Sequence, residues 1–252
     1  MIGSALLHLM GGAAYILWPS RWAVILASMI ANHAVVAAAG IHPRNQLMGP
    51  NRSRLDTDAD ATNQIALTFD DGPDPEVTPR VLEILAQQNC RATFFVIGER
   101  AEAQPDLVRA VVQAGHDLGN HSWDHSSAFF FHSPSQLAAQ IDRTQDLLEE
   151  LSGKRPRLFR PPAGIRSPLL ESQLARRNLA LVSWNRRAFD TVERRPAKIL
   201  RRMTKNLGPG DILLLHDGSV ARTAAGVPVV LEILPELLEI IQAQNLEPVL
   251  IT

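Results

Sequence analysis

The chain has 252 residues, and 46% of them are hydrophobic, which is enough for one substantial buried core. The 25 basic and 26 acidic side chains leave a formal net charge of −1 at pH 7. This balance offers no basic face for a nucleic acid backbone, so we expect no nucleic acid partner. The single cysteine, Cys90, excludes an intramolecular disulfide.

Two apolar runs without Asp, Glu or Lys begin the chain, at residues 2–18 and 22–41. Each run is about the length that an apolar helix needs to cross a hydrocarbon layer of about 30 Å. We therefore predict that residues 1–41 form a hydrophobic helical hairpin that anchors the chain in a membrane. The alternative is a soluble amphipathic helical pair that covers the next domain, and His8, Asn32 and His33 inside the runs favour it.

Residues 42–63 are polar and contain Gly and Pro, which predicts a linker. Arg44, Arg52 and Arg54 follow the second apolar run, whereas Arg21 alone lies between the runs. Positive residues near the ends of a span favour the cytoplasm, so the sequence predicts that the domain after the linker lies on the cytoplasmic side.

After the linker, short β-rich runs alternate with helical patterns, which indicates an α/β domain over residues 64–252 with a parallel sheet. The spacing predicts helices over 79–88 and 134–151. Seven strands are predicted, at 65–69, 92–97, 116–120, 157–160, 180–184, 211–216 and 247–251.

Unusual polar residues fall at the carboxyl ends of four predicted strands. They are Asp70 with Asp71, His121, Arg160, and His216 with Asp217. In parallel α/β barrels the active site is assembled at this end of the strands. The sequence therefore predicts that these residues converge on one site.

The segment 68–73 reads Thr-Phe-Asp-Asp-Gly-Pro, and 121–125 reads His-Ser-Trp-Asp-His. Two histidines four residues apart would face the same way on one helical turn and share a metal ion. One carboxylate and two imidazoles leave coordination positions open, as in a catalytic site. The alternatives are a solvated Asp-Asp-Gly-Pro turn and histidines that lie on the surface or cap a helix.

Further motifs follow in order: Arg-Pro-Pro-Ala-Gly at 160–164, Asp190, and Leu-Leu-His-Asp at 214–217. Together with the two earlier motifs, they resemble the five ordered motifs of the polysaccharide deacetylase family, which contains the NodB homology domain. The resemblance covers about residues 64–252. It implies a distorted (β/α)7 barrel and metal-dependent removal of N-acetyl groups.

The resemblance also implies roles. Asp71, His121 and His125 correspond to the metal ligands, and Asp70 to the general base, with Arg160 keeping it ionised. His216 corresponds to the general acid, oriented by Asp190. The turn with Pro162 and Ala163 corresponds to the oxyanion-binding backbone, and Leu214 to the pocket for the acetyl methyl; Leu214 can equally be a core residue.

Two positions depart from the family pattern, because Ala163 and Thr191 are small where the family often has an aromatic residue and a tryptophan. Stacking on a sugar ring is therefore expected to be weaker or to come from elsewhere. Phe129, Phe130 and Phe131 are candidates for that role, but packing is the interpretation we favour.

The sequence thus predicts a membrane-anchored hydrolase that removes N-acetyl groups from amino sugars of a polysaccharide, oligosaccharide or glycan precursor. Zn²⁺ is the leading metal, and Co²⁺, Ni²⁺ or Mn²⁺ also suit the ligand set. The alternatives are a deformylase or deacetylase of an isoprenoid-linked sugar, and a non-catalytic carbohydrate-binding relic. The relic is disfavoured because every catalytic position of the motifs is occupied.

Overall fold

The computed structural model describes residues 2–56 and 63–251. Its N-terminal part is a pair of helices, α1 (Ile2–Leu17) and α2 (Trp22–Ile41), joined by a 3₁₀ turn at Pro19–Arg21. The helices contact each other, since Asn32 donates to Ser4 Oγ at 2.7 Å and the rings of His8 and His33 lie 5.0 Å apart. The two apolar runs therefore form two helices, as predicted.

Only one stretch of the described residues is long and apolar enough to cross a membrane, the 23 residues Pro19–Ile41. Helix α1, with 16 residues, is shorter than the roughly 20 that a span requires. Length and composition are also those of a signal sequence or a buried core helix, but only Ala39 and Gly40 of α2 are buried.

The rest of the chain is a curled parallel sheet with helices packed against it. The strands are β1 (Gln64–Asp70), β2 (Thr93–Val96), β3 (Asp117–Asn120), β4 (Leu158–Phe159), β5 (Ala180–Leu181), β6 (Arg186–Arg187), β7 (Ile212–His216) and β8 (Glu247–Pro248). The order is β5-β4-β3-β2-β1-β7-β6, and β8 pairs with the start of β1. This curled sheet, with seven strands in the main order and β8 beside β1, is the distorted (β/α)7 barrel that the motifs implied.

All seven predicted strands are present, although several are shorter than predicted, and β6 is an additional strand. The helices that follow the linker are α3 (Val77–Gln87), α4 (Gly98–Ala103), α5 (Pro105–Gln113), α6 (Pro134–Ser152), α7 (Leu170–Ala175), α8 (Pro196–Thr204) and α9 (Val229–Ala243). The predicted helices at 79–88 and 134–151 correspond to α3 and α6.

Helix α6 illustrates how local sequence sets an element. Ser133 accepts from the backbone N–H of Gln136, whose side chain accepts from the N–H of Ser133, and Pro134 occupies the first turn. Gly153 ends the helix at φ 72°, in the left-handed region that glycine adopts at low cost. The helix buries Leu137, Ile141 and Leu148 against the sheet.

The segment that follows α2 packs on the barrel over its described part. Arg52 forms a parallel bridge with Val182, just after edge strand β5, and Arg54 an antiparallel bridge with Asp211, just before β7. Asn51 is buried and accepts a hydrogen bond from Ser183 Oγ at 2.8 Å. Residues 51–55 therefore connect two parts of the sheet; residues 57–62 of the predicted linker lie outside the described residues.

Candidate metal and hydrolytic site

The predicted site residues meet at the carboxyl ends of the strands. Asp70 ends β1 and His216 ends β7, and these two residues are directly paired in the sheet register. Strand β3, which is separated from β1 by β2, ends at Asn120. The next residue, His121, therefore lies at the same edge of the sheet. Because the strands are parallel, side chains from motifs that are distant in the sequence meet at one end of the barrel.

Asp71, His121 and His125 form a cluster that can hold a metal ion, with one candidate ligand atom from each lying within 4.8 Å of the others. The Nε2 atoms of His121 and His125 lie 3.4 Å and 3.3 Å from Asp71 Oδ1. This carboxylate oxygen is buried and has no hydrogen-bond partner among the described residues. An orphaned buried oxygen that faces two imidazole nitrogens is what a divalent cation would satisfy.

The other ring nitrogen of His121 supports this fit. Nδ1 lies 2.7 Å from the backbone carbonyl oxygen of Arg160, to which it can only donate. In the neutral ring this leaves Nε2 as the lone-pair nitrogen that faces Asp71, and such an orienting bond is common for metal-binding histidines.

The charges around these side chains also favour a cation. Burial raises the pKa of Asp71, but the nearby His121 ring, together with the charges of His125 and His216, holds it well below its usual range. Burial and the charge of His121 lower the pKa of His125. Asp71 is therefore ionised and His125 neutral at pH 7, as metal ligands are. Burial lowers the pKa of His121, but Asp70 and Asp71 raise it overall, so His121 would release a proton on binding a cation.

The two histidines do not lie on a helical turn, so that part of the sequence argument was wrong. Residues 121–125 form an irregular loop in which Ser122 has φ 66° and His125 has φ 51°. Asn120 Oδ1 accepts from the N–H of Ser122, and Ser122 Oγ accepts from the N–H of His125. This loop brings the rings to a centroid distance of 4.9 Å.

Asp70 is held by a buried arginine. Arg160 Nη1 donates to Asp70 Oδ1 at 2.6 Å, and the guanidinium also donates to Thr68 Oγ1 and to the carbonyl oxygens of Val182 and Ser183. The guanidinium carbon lies 4.0 Å from the centre of the Phe95 ring. Because four of its five N–H donors are bonded to these neighbours, Arg160 is held in place, fixes the Asp70 carboxylate and compensates its charge.

His216 forms a second acid–base pair with Asp190. Asp190 is fully buried; its Oδ1 lies 2.7 Å from His216 Nδ1, and its Oδ2 accepts from the His216 backbone N–H at 2.9 Å. Burial alone lowers the pKa of His216, but the charge and hydrogen bond of Asp190, with Asp70 and Asp71, raise it to about 9. At neutral pH the ring is cationic and can donate a proton from Nε2.

The turn between Asp70 and Pro73 is packed closely against Asp217. A side chain at Gly72 would place its Cβ 2.1 Å from Asp217 Oδ2, so only glycine fits. Asp217 Oδ2 accepts from Thr78 Oγ1 at 2.6 Å, and Arg100 Nη1 donates to the carbonyl oxygen of Asp71 at 2.5 Å. Burial raises the pKa of Asp217 to about 7, with the charges of Asp71 and Asp70 adding to it against the Thr78 hydrogen bond.

These side chains line a cavity of about 280 Å³, near the lower end of the usual range for ligand pockets. Of the predicted site residues, Asp70, Asp71, His121, His125, Ala163, Leu214 and His216 line it. Arg160 and Asp190 lie behind it, bonded to Asp70 and His216. Pro162 is buried in the neighbouring turn and is not part of the lining.

Sequence reasoning missed four lining residues, namely Trp184, Arg187, Thr191 and Ser219. Thr191 was noticed only as a departure from the family motif. Trp184 also packs so closely on the turn that a Cβ at Gly164 would lie 2.3 Å from its ring, and Gly164 has φ 73°. An aromatic residue at the end of a predicted strand was the available signal for Trp184.

The three phenylalanines after the histidine loop are not part of this lining. Phe129 is buried against Phe159, and the Phe130 ring lies against Gly40 of α2. Phe131 is 80% exposed. The packing interpretation therefore holds for Phe129 and Phe130.

Fold and site together define a hydrolase-type cavity with a two-histidine, one-carboxylate cluster on a parallel α/β barrel. The polysaccharide deacetylase family model matches residues 57–182. A chitooligosaccharide deacetylase of Azorhizobium caulinodans is 37% identical over 164 residues, 65% of this chain and 78% of that protein. The chain therefore belongs to the polysaccharide deacetylase family.

Two further proteins are similar to this chain. A peptidoglycan-N-acetylglucosamine deacetylase of Bacillus cereus is 35% identical over 180 residues, which are 69% of this chain and 63% of that protein. The chain thus spans less than two thirds of this relative. A family 4 acetyl xylan esterase from Clostridium thermocellum, solved with a cobalt ion, superposes with a TM-score of 0.66 at 31% identity, covering 74% of this chain and 87% of that one.

Proposed function

We propose that this protein is a divalent-metal-dependent hydrolase that removes N-acetyl groups from amino sugars of a polysaccharide, an oligosaccharide or a glycan precursor. The observation that carries the proposal is the orphaned Asp71 Oδ1, which faces the Nε2 atoms of His121 and His125 at 3.4 Å and 3.3 Å. The acid–base groups Asp70 and His216 line the same cavity. The peptidoglycan and chitooligosaccharide deacetylases among the relatives support the choice of an acetamido sugar.

Asp71, His121 and His125 would hold the ion. When bound there, a divalent cation polarises the acetamido carbonyl and makes a water molecule more acidic. Zn²⁺ is the leading choice for two imidazoles and a carboxylate, and Co²⁺, Ni²⁺ and Mn²⁺ also suit them. The cobalt ion of the Clostridium thermocellum esterase supports a transition metal.

The remaining groups divide the proton transfers between them. Asp70 accepts the proton of the attacking water while Arg160 keeps the carboxylate oriented and its charge compensated. His216, cationic because of Asp190, donates a proton to the departing amine. Both groups lie in a cavity with little solvent, where electrostatic interactions between paired charges are stronger than in water.

The carbonyl oxygen and the methyl group of the acetamide need their own contacts. The backbone around Ala163, which has φ 55° and lines the cavity beside buried Pro162, is suited to offer an N–H to the developing oxyanion. Leu214, 1% exposed and also in the lining, provides an apolar wall for the methyl group.

We also propose that the chain is built as a membrane anchor at residues 1–41, a connecting segment at 42–63 and a catalytic domain at 64–252. The exposed apolar surface of α2, including Val24, Ile30 and Val35, supports insertion into lipid. The arginines at 44, 52 and 54 favour a cytoplasmic catalytic domain. Reporter fusions after Ile41 and after Thr252 test this; an extracytoplasmic signal from both would overturn the sidedness and leave the chemistry untouched.

Metal removal tests the central claim. We expect the full chain, purified in detergent and treated with a chelator, to lose hydrolysis of a neutral N-acetylated oligosaccharide and to regain it when Zn²⁺ or Co²⁺ is added. Elemental analysis should find one ion per chain in the active protein and none in the treated protein. Full activity in protein shown to be metal-free would refute the proposal.

A second candidate is an isoprenoid-linked amino sugar as substrate, with acetyl or formyl as the group removed. It is favoured by the contact of the end of α2 with the barrel, since Arg166 N donates to Gly40 O at 2.9 Å. A catalytic domain held so close to an anchor would meet lipid-linked substrates first. Measuring acetate and formate released from free and lipid-linked amino sugars separates the two candidates.

A further inference from the structure

Arg187, on the strand that sequence reasoning missed, is a cation in the lining of the candidate cavity. Its guanidinium lies over two aromatic rings, with the carbon 4.7 Å from the centre of the Phe189 ring and 5.4 Å from that of Trp184. Such stacking orients an arginine while its N–H groups remain available to another partner. The two aromatic rings therefore hold the Arg187 side chain at the cavity through contacts with the faces of its guanidinium.

Within the described part of the chain, the N–H groups of this guanidinium donate no hydrogen bond. Arg187 Nε is buried without a hydrogen-bond partner, and the side chain forms no ion pair with any described residue. The neighbouring Arg186 differs: it pairs with Asp211 and donates to the carbonyl oxygens of Lys205 and Asn206. A buried donor without an acceptor is unfavourable, so the position gains if a ligand supplies one.

We propose that Arg187 recognises an anionic group on the substrate, a phosphate or a carboxylate carried by the amino sugar that enters the cavity. The inference rests on the proposed deacetylase function and narrows its substrate class. Planar guanidinium groups bind these anions through two parallel N–H donors. Two other cations of the described site are already paired, Arg160 with Asp70 and His216 with Asp190.

The position of Arg187 in the sheet sets where the anion lies. Arg187 is paired with Leu214 on β7, and Leu214 is paired with Thr68 on β1, so Arg187 is two strands away from the strand that carries Asp70. Neighbouring strands are about 4.8 Å apart, so the backbone of Arg187 lies about 10 Å from the strand that carries Asp70. The anion therefore binds at the β6 side of the cavity, and Asp70 lies at the β1 side.

Matched substrates test the proposal on the full chain in detergent with metal bound. The neutral substrates are methyl N-acetylglucosaminide and tri-N-acetylchitotriose, and the anionic ones are N-acetylglucosamine 1-phosphate and N-acetylmuramic acid. The measured quantity is the selectivity, the ratio of kcat/KM for acetate release from an anionic substrate to that from methyl N-acetylglucosaminide. We expect wild type to favour at least one anion, and Arg187→Gln to lower this selectivity by about 10- to 100-fold.

Arg202→Gln is the matched control, because Arg202 also lies over the Phe189 ring, at 4.9 Å, but does not line the cavity. Its selectivity should equal that of wild type. A preference for the phosphate alone would identify a sugar-phosphate type of substrate, and a preference for the carboxylate alone an acidic sugar; either supports the proposal. Equal selectivity in wild type and Arg187→Gln would overturn it.

A binding measurement separates this proposal from the proposed reaction. Calorimetry with metal-free protein reports binding of the same sugars without turnover. If tri-N-acetylchitotriose is cleaved but anionic sugars bind no better to wild type than to Arg187→Gln, the anion site is wrong and the deacetylase function stands. If no substrate is cleaved but anionic sugars bind in an Arg187-dependent manner, the function is wrong and the anion site stands.

Discussion

Two arginine side chains in the described part of the chain are almost completely buried, and they serve two different regions. Arg160 is 0% exposed and lies behind the candidate cavity, whereas Arg166 is 2% exposed and lies under the segment that follows α2. Arg160 meets a carboxylate oxygen of Asp70 at 2.6 Å. The nearest carboxylate to Arg166 belongs to Glu171, at 3.9 Å.

The partners of Arg166 are carbonyl oxygens instead. Its guanidinium donates to those of Asn45, Met48 and Gly49, at 2.7, 3.0 and 3.2 Å. One buried guanidinium thus pairs with a carboxylate of the cavity, and the other binds the backbone of residues 45–49. Burial of an arginine therefore does not by itself indicate a functional position; the partners, a carboxylate for Arg160 and carbonyl oxygens for Arg166, distinguish the two.

The largest effect should come from breaking the pair in the cavity. Asp70→Asn should lower kcat by roughly 100-fold or more, the usual scale for a positioned general base, with metal content unchanged. It should also lower the free energy of unfolding by about 3–5 kcal/mol, because the Arg160 charge remains buried without its anion. Steady-state rates, elemental analysis and denaturant unfolding measure the three quantities.

Asp142→Asn is the control for this variant. Asp142 also pairs with an arginine, Arg177, at 2.5 Å, but its side chain is 44% exposed. A pair that is open to solvent contributes about 0–1 kcal/mol, so both rate and stability should stay close to wild type. A wild-type rate with lost metal in Asp70→Asn would instead make Asp70 a ligand.

The region after α2 can be tested by two truncations. Removing residues 1–56 takes away backbone hydrogen bonds of Arg52 with Leu181 and Ser183, that of Leu55 with Gly210, and the side-chain bond between Asn51 and Ser183. At about 1 kcal/mol each, these amount to about 4 kcal/mol of the free energy of unfolding, to which the loss of the three Arg166 hydrogen bonds with Asn45, Met48 and Gly49 adds. Removing only residues 1–42 loses the bond between Arg166 N and Gly40 O, about 1 kcal/mol.

Thermal unfolding and activity on a neutral oligosaccharide measure both truncated chains. We expect the shorter deletion to give a stable, active protein and the longer one to be destabilised. Equal stability of the two would mean that residues 43–56 contribute nothing to the barrel. It would then favour a catalytic unit that begins near residue 64, the boundary that the sequence predicts.

The sequence predicted the cavity better than the segment around it, for a physical reason. Asp70, His121 and His216 stand directly at strand ends, so a correct strand assignment brings them together. Residues 43–56 look like a linker because they are polar, and the partners of Asn51 and Arg166 lie 132 and 121 positions away along the chain. No local pattern encodes such pairings.

The same limit applies inside the site. Strand β6 has only two residues, both arginines, so neither apolar alternation nor β-branched side chains indicate it. Arg187 was therefore missed. The loop at 121–125 depends on positive φ angles at Ser122 and His125, which are uncommon for residues other than glycine, so a helical turn was the wrong default.

A moderate effect is expected from weakening the second charge pair of the cavity. The pKa of His216 is raised to about 9, and Asp190 contributes most to that increase. In the proposed mechanism His216 is the acid, so we expect the rate to fall as pH rises through this pKa. In Asp190→Asn the pKa moves down towards the ordinary value of about 6.5, so the alkaline limb of the pH–rate profile should move to lower pH.

The profile of kcat between pH 6 and about 10 measures this shift, with Asp142→Asn again as the matched change of an aspartate outside the cavity. An alkaline limb at the same pH in Asp190→Asn and wild type would remove His216 from the role of acid. A limb that moves in both variants would point to a change of overall charge instead.

The smallest effect on catalysis should come from substituting Arg166, the buried arginine whose partners lie outside the cavity. Arg166→Gln removes hydrogen bonds from a charged donor to three carbonyl oxygens, each worth about 1.5–3 kcal/mol. Because these bonds hold residues 45–49 and touch none of the cavity lining, the loss should appear as local opening. Amide hydrogen exchange in this segment should speed up by at least about 10-fold, while exchange in β1 and the rate on a neutral oligosaccharide change little. If kcat instead falls as far as in Asp70→Asn without a change in exchange at 45–49, Arg166 acts on the site and the division between the two arginines is wrong.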